Sequence, residues 1–143
     1  MLGLVLTLVA PVDTCRFDLP LVIRRNPDVN IMTAPLLSRA EVDSLGVYTG
    51  WLFLGPGVVV PEHDHGDDVE MLMVVCGSAR FRIGEQETSL VPGSSLRIPK
   101  RTRHAAIGGP EGMVAVQLYR GGAPGMRFYS WDSIPPPAPP PPR

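Results

Sequence analysis

Residues 57–77 read "GVVVPEHDHGDDVEMLMVVCG". Two histidines, His63 and His65, stand one residue apart among acidic side chains, and an apolar run follows at once. In an extended chain successive side chains alternate between faces, so His63 and His65 point the same way, as converging metal ligands do. Glu70 lies five residues beyond His65, the wrong parity for one continuous strand. Gly66-Asp67-Asp68 predicts a turn there, with Glu70 opening the next strand. A hairpin would then gather His63, His65 and Glu70.

The chain's third histidine, His104, ends "RIPKRTRH", which reads as a strand end and a loop. Two or three imidazoles with one carboxylate suit Fe(II), Mn(II), Ni(II), Zn(II) or Cu(II). With three histidines in the whole chain, a four-ligand site would use all of them. The plainer alternative is a polar turn without metal. Asp64, Asp67 and Asp68 read as a solvated turn, and Met71 and Met73 as core or interface side chains.

Around this stretch the pattern is that of short strands. "VYTGWLFL" (47–54), "VEMLMVVC" (69–76), "ARFRI" (79–83), "ETSLV" (87–91), "SLRI" (95–98) and "MVAVQLY" (113–119) are strand-like, with Gly- and Pro-rich turns between them. In 79–83, Phe81 and Ile83 share one face while Arg80 and Arg82 face water. "EMLMVVC" (70–76) is apolar on both faces, which predicts cover on both. Only "SRAEVDSLG" (38–46) reads as helix, with Ser38 as N-cap and Glu41 completing a capping box. Regular short strands in one domain of 143 residues predict a sandwich or a barrel.

The ends differ from the middle. Residues 2–10 are apolar but too short to span a membrane as a helix. They carry neither the basic start nor the small-residue cleavage site of a secretion signal, so a strand, a leader and a signal remnant all stay open. The compartment stays open with them: cytoplasmic, or periplasmic or secreted. The tail "IPPPAPPPPR" cannot enter a sheet and reads as polyproline II or disorder. The expected division is an N-terminal strand or leader over 1–25, a barrel over 26–132 and a proline-rich tail over 133–143. A net charge of −1 gives no global field for nucleic acid. Cys15 and Cys76 do not make a disulfide scaffold, and Cys76 reads as a buried thiol.

The spacing Gly57-x5-His63-x-His65-x4-Glu70-x6-Gly77 resembles the first motif of the cupin family, and Gly93-x5-Pro99 followed by His104 resembles the second. Two positions depart: Arg101 stands where a glycine is usual, and Gly108 where an asparagine is usual. The resemblance implies an all-β cupin-type jelly-roll barrel enclosing one divalent transition metal (Fe, Mn, Ni, Zn or Cu) on His63, His65, Glu70 and His104. It also implies a homodimer formed by sheet packing or by exchanged N-terminal strands, and a small-molecule substrate or ligand. The implied function is a metal-dependent enzyme of dioxygenase, isomerase, lyase or cyclase type, or else a module that binds or senses a small molecule. Arg101 has two readings: a solvated loop arginine, ion-paired like Arg97, Lys100 and Arg103 with Glu62, Asp64, Asp67 or Asp68, or a group that grips an anionic substrate. On the last long strand, core packing predicts Val114, Val116 and Leu118 facing inward, which turns Gln117 and Tyr119 away from the barrel.

Overall fold

The structure, a computed structural model, describes residues 22–134. The apolar stretch 2–10 and residues 135–143 of the proline-rich tail lie outside that range, whereas residues 23–25 and 133–134, expected in the flanking segments, pair as strands. The strands are β1 (Ile23–Arg25), β2 (Ile31–Pro35), β3 (Val47–Leu54), β4 (Val59–His63), β5 (Val69–Ile83), β6 (Gln86–Leu90), β7 (Ser95–Ile98), β8 (His104–Arg120) and β9 (Asp132–Ile134). Two short helices, α1 (Arg39–Leu45) and α2 (Ala123–Met126), and a 3-10 turn at Arg127–Ser130 complete the described chain. All pairings are antiparallel.

Two long strands build the barrel. The first half of β5 pairs with β7 and with the second half of β8; its second half pairs with β6 and with the first half of β8. Each half of β8 takes a further neighbour, β4 on its first half and β3 on its second. One face of the barrel is therefore β7-β5-β8-β3-β2-β1-β9 and the other is β6-β5-β8-β4. This is the jelly-roll expected from the sequence.

The two strands change sheet where their register slips. On β5 the shifts fall between Val74 and Cys76 and between Gly77 and Ala79. Over the second shift the partner on β8 jumps from Met113 to Gly108, so "GGPEG" (108–112) absorbs the bend. Gly112 has φ +78, and a Cβ there would meet the Leu54 carbonyl oxygen at 2.4 Å, so glycine is required at this corner. Residues 69–76 and 79–83, expected as two strands, are one bent strand for the same reason. β8 begins at His104 rather than near Met113 because its glycine-rich corner looks like a turn in sequence.

The elements follow their residues closely elsewhere. Along β3 the alternation is complete, with Tyr48, Gly50, Leu52 and Leu54 buried. In α1 the Ser38 side chain accepts from the Glu41 amide at 3.3 Å, and the Glu41 carboxylate accepts from the Ser38 amide at 2.7 Å. Gly46, at φ 64, ends that helix in the left-handed region. Leu52, Leu54, Leu72, Val74, Phe81, Ile98, Met113 and Ala115 fill the barrel. Val42, Tyr48, Tyr119 and Phe128 close one end, where α1, α2 and the 3-10 turn pack.

On "EMLMVVC" Leu72 and Val74 point inward, whereas Met71 and Met73 are 41% and 57% exposed on the single chain. One expectation needs correction. Cys76 is buried as expected but is disulfide-bonded rather than a free thiol. The chain's other cysteine, Cys15, lies outside the described residues. No described helix is long and apolar enough to cross a membrane.

Candidate metal centre

His63, His65 and His104 converge inside the barrel. Their ring centroids lie 4.8 Å (His63–His65), 4.2 Å (His63–His104) and 4.9 Å (His65–His104) apart. One ligating atom from each lies within 4.8 Å of the other two. Glu70 reaches the same point: its Oε2 is 2.9 Å from His65 Nε2 and 3.4 Å from His104 Nε2. His63 ends β4, Glu70 sits near the start of β5, and His104 opens β8, paired directly with His63.

The connection between His63 and Glu70 is not the expected hairpin. β4 and the first half of β5 pair with opposite halves of β8, and the turn at Gly66 and Asp67 carries the chain from one sheet to the other. Asp64 Oδ1 accepts from the Gly66 amide at 2.9 Å and fixes that corner, and the Arg101 amide donates to the Gly66 carbonyl. The loop before His104 is thereby tied to the loop carrying His65.

The ring orientations suit metal ligation. Nδ1 of His63 lies 2.8 Å from the Pro61 carbonyl, and Nδ1 of His104 lies 2.9 Å from the Thr102 carbonyl. A carbonyl only accepts, so both Nδ1 atoms carry the proton and both Nε2 atoms present a lone pair. His104 Nε2 is buried without a hydrogen-bond partner. An orphaned imidazole lone pair beside a carboxylate and two further imidazoles is a donor set that a divalent transition metal satisfies.

Electrostatics fits the same picture. Burial would raise the pKa of Glu70, but His104, His65 and Gln117 outweigh it and hold the carboxyl down at about 2. Burial lowers the pKa of His63; the Pro61 carbonyl opposes this, and the neighbouring imidazoles and Arg127 add to it. His104 is disfavoured as a cation by burial, yet the adjacent Glu70 carboxylate raises its pKa overall. Burial, then the Glu70 charge, pushes the Tyr119 phenol well above its usual range.

Gln117 and Tyr119 belong to this site, contrary to the sequence expectation. Gln117 is 3% exposed, and its Nε2 donates to Glu70 Oε1 at 2.7 Å and to the Tyr119 hydroxyl at 2.7 Å. The Tyr119 ring lies 4.8 Å from that of His65. Met113, Ala115, Gln117 and Tyr119 face the interior, leaving Val116 and Leu118 half-buried on the outer face. Apolar character misjudged the parity because the interior is polar where the carboxylate needs partners.

Arg101 is elsewhere. Its guanidinium pairs with Asp67 at 2.7 Å, with both side chains largely exposed, and it is not in the cavity wall. Its φ is +54, so it keeps the left-handed backbone that a glycine would adopt freely. The expected rim pairs are present in part: Glu62 holds Arg103 at 2.9 Å, and it also holds Arg82, outside the expected group, at 2.9 Å.

A cavity of about 400 Å³ opens onto the cluster. His63, Glu70, His104, Gln117 and Tyr119 line its polar end. Ile31, Leu52, Leu54, Leu72, Phe81, Ala106, Phe128 and Trp131 form apolar walls, and Asn26 and Arg127 also contribute. The size lies within the range of small-molecule sites. Arg127 and Trp131 gave no signal in sequence, because the segment after β8 carries no motif.

Comparison with known proteins agrees with this architecture. A family model described as a cupin domain matches residues 50–116. No curated protein matches the chain by sequence. Among solved structures, an RmlC-like cupin from Shewanella frigidimarina is similar at 16% identity and TM-score 0.61, covering 74% of this chain and 88% of that one. A predicted oxalate decarboxylase from Thermotoga maritima is similar at 16% identity and TM-score 0.60, covering 70% and 92%. The Cupin_2 domain of an XRE family transcriptional regulator from Enterobacter cloacae is similar at 19% identity and TM-score 0.54, covering 63% and 95%. The motif spacing, the two-sheet barrel and the domain match agree: residues 50–116 carry a cupin domain.

Proposed function

We propose that this chain is a metal-dependent enzyme acting on a small oxygenated organic molecule, with one divalent transition metal on His63, His65, Glu70 and His104. The observation that carries this reading is the orphaned His104 Nε2, aimed at two more imidazoles and a carboxylate on the wall of an apolar cavity. Such a metal, when bound, would supply Lewis-acid polarisation of a carbonyl or enolate oxygen or, as Fe(II), access to O₂. The chain's own residues do the rest. The Pro61 and Thr102 carbonyls hold the His63 and His104 rings in place, and Gln117 holds Glu70 Oε1 so that Oε2 faces the histidines. The apolar walls limit water around the reacting group.

Elemental analysis of the wild type and the His63→Ala/His65→Ala double variant tests the site. About one metal per chain is expected in the wild type and a near-complete loss in the variant; full retention would place the metal elsewhere. O₂ consumption and product formation with phenols, diketones and carboxylates test the chemistry. Metal at full occupancy without turnover on any class would favour the alternative, a non-catalytic cupin that binds or senses a small molecule. Its supporting observation is the mostly apolar cavity wall, which suits retention of a ligand as well as its conversion.

The same reading includes a homodimer. On the outer face Met71 pairs across the ladder with Leu118, and Met73 with Val116, which leaves an apolar patch with both methionines exposed. Sedimentation of the wild type should give a dimer and Met73→Glu a monomer; a monomeric wild type at high concentration would end this part of the proposal.

A further inference from the structure

The cavity wall holds a guanidinium that the metal cluster does not use, that of Arg127, which opens the 3-10 turn and is itself exposed. Its guanidinium lies over the Phe128 ring, 5.0 Å from the centroid. It takes part in none of the ion pairs among the described residues. Apart from the imidazoles it is the cation of the wall, and Glu70 is the acid, already engaged by His65 and Gln117.

The rest of the wall is largely apolar, with Leu52, Leu54, Phe81 and Trp131. We propose that the cavity selects a small organic monoanion, with a carboxylate held by Arg127 and an apolar body against these side chains. The inference deepens the proposed function, since it rests on reading the cavity as the ligand site. It assigns Arg127, rather than the sequence candidate Arg101, to recognition of the acid. The chemistry is that of a guanidinium gripping a carboxylate in a wall that offers no competing acid at the mouth.

Isothermal titration calorimetry on the full chain, both metal-free and loaded with Zn(II), tests this with two probes: 4-hydroxyphenylacetate and its neutral amide. The wild type should bind the hydroxy acid at least about tenfold more tightly than the amide. Arg127→Gln should erase that preference while leaving the thermal midpoint and zinc content unchanged, and Arg127→Lys should restore part of it. An acid-to-amide ratio unchanged in Arg127→Gln, or no binding of any probe to the wild type up to about 10 mM, overturns the proposal. Loss of the metal reading is visible separately: zinc content would be low while the Arg127-dependent preference persisted in metal-free protein.

Discussion

Replacing Gln117 by methionine separates the structure from the simplest reading of its strand. If side chain 117 faced outward, as core packing of Val116 and Leu118 suggests, the change would be nearly neutral. The structure places it inside, donating to Glu70 Oε1 and to the Tyr119 hydroxyl, each at 2.7 Å. Methionine keeps the length and removes both donors. The bond to the carboxylate is charge-assisted, worth about 1.5–3 kcal/mol, and the bond to the phenol about 0.5–1.5 kcal/mol. Extra apolar burial returns roughly 1 kcal/mol. The expected loss is about 1–3.5 kcal/mol, since Glu70 stays buried with one oxygen unpaired. Urea unfolding in the presence of a chelator is the assay, because bound metal would mask the change by mass action. The midpoint should fall at unchanged slope. Leu118→Gln, on the outer face, serves as the control and should cost less. A Gln117→Met variant within about 0.5 kcal/mol of wild type would refute the inward placement and, with it, the orientation of Glu70.

Three further outcomes follow from named contacts. Gly125→Ala should cost about 1–3 kcal/mol, because a Cβ there would meet Tyr48 Cγ at 2.1 Å in the packed end of the barrel; thermal unfolding checks it. Arg101→Gly should stay within about 1 kcal/mol of wild type. Relief of the left-handed backbone at φ +54 is offset by the greater freedom of the unfolded chain and by loss of an exposed pair with Asp67. Carboxylate binding should not change in that variant. Glu62 should titrate below the usual carboxylate range, chiefly through its hydrogen bond from Arg103, against a small opposing effect of burial. Because the folded pKa is the lower one, that contribution is present above the unfolded value and fades as pH falls through the folded one. An NMR titration should show this shift, and 1 M salt should shrink it.

Much of the barrel was legible because its strands obey simple alternation. The bounds of β3 and β7 and the capping box of α1 follow directly from residue order. What escaped had one physical cause, the change of sheet. A strand that bends through glycine and a register shift looks like two strands and a turn, as β5 does, or like a loop and a late start, as β8 does. The convergence of the histidines was legible because alternation along an extended chain puts His63 and His65 on one face. The corner between His65 and Glu70 looked like a hairpin because a turn does not reveal which strand its arms will pair with.

The misjudged parity of β8 carries the deeper lesson about how this barrel is organised. An interior that holds a buried carboxylate has to supply donors to it, and here they come from His65 and Gln117 rather than from solvent. Polar residues therefore occupy inward positions of the strand that passes the site, and its outward positions become apolar. Val116 and Leu118 then lie beside Met71 and Met73 on the outer sheet face, where a monomer would leave them in water. One choice, to bury Glu70, thus accounts for the inward amide of Gln117. The apolar outer face is the other half of the same strand's alternation, and it is the surface on which the proposed dimer depends.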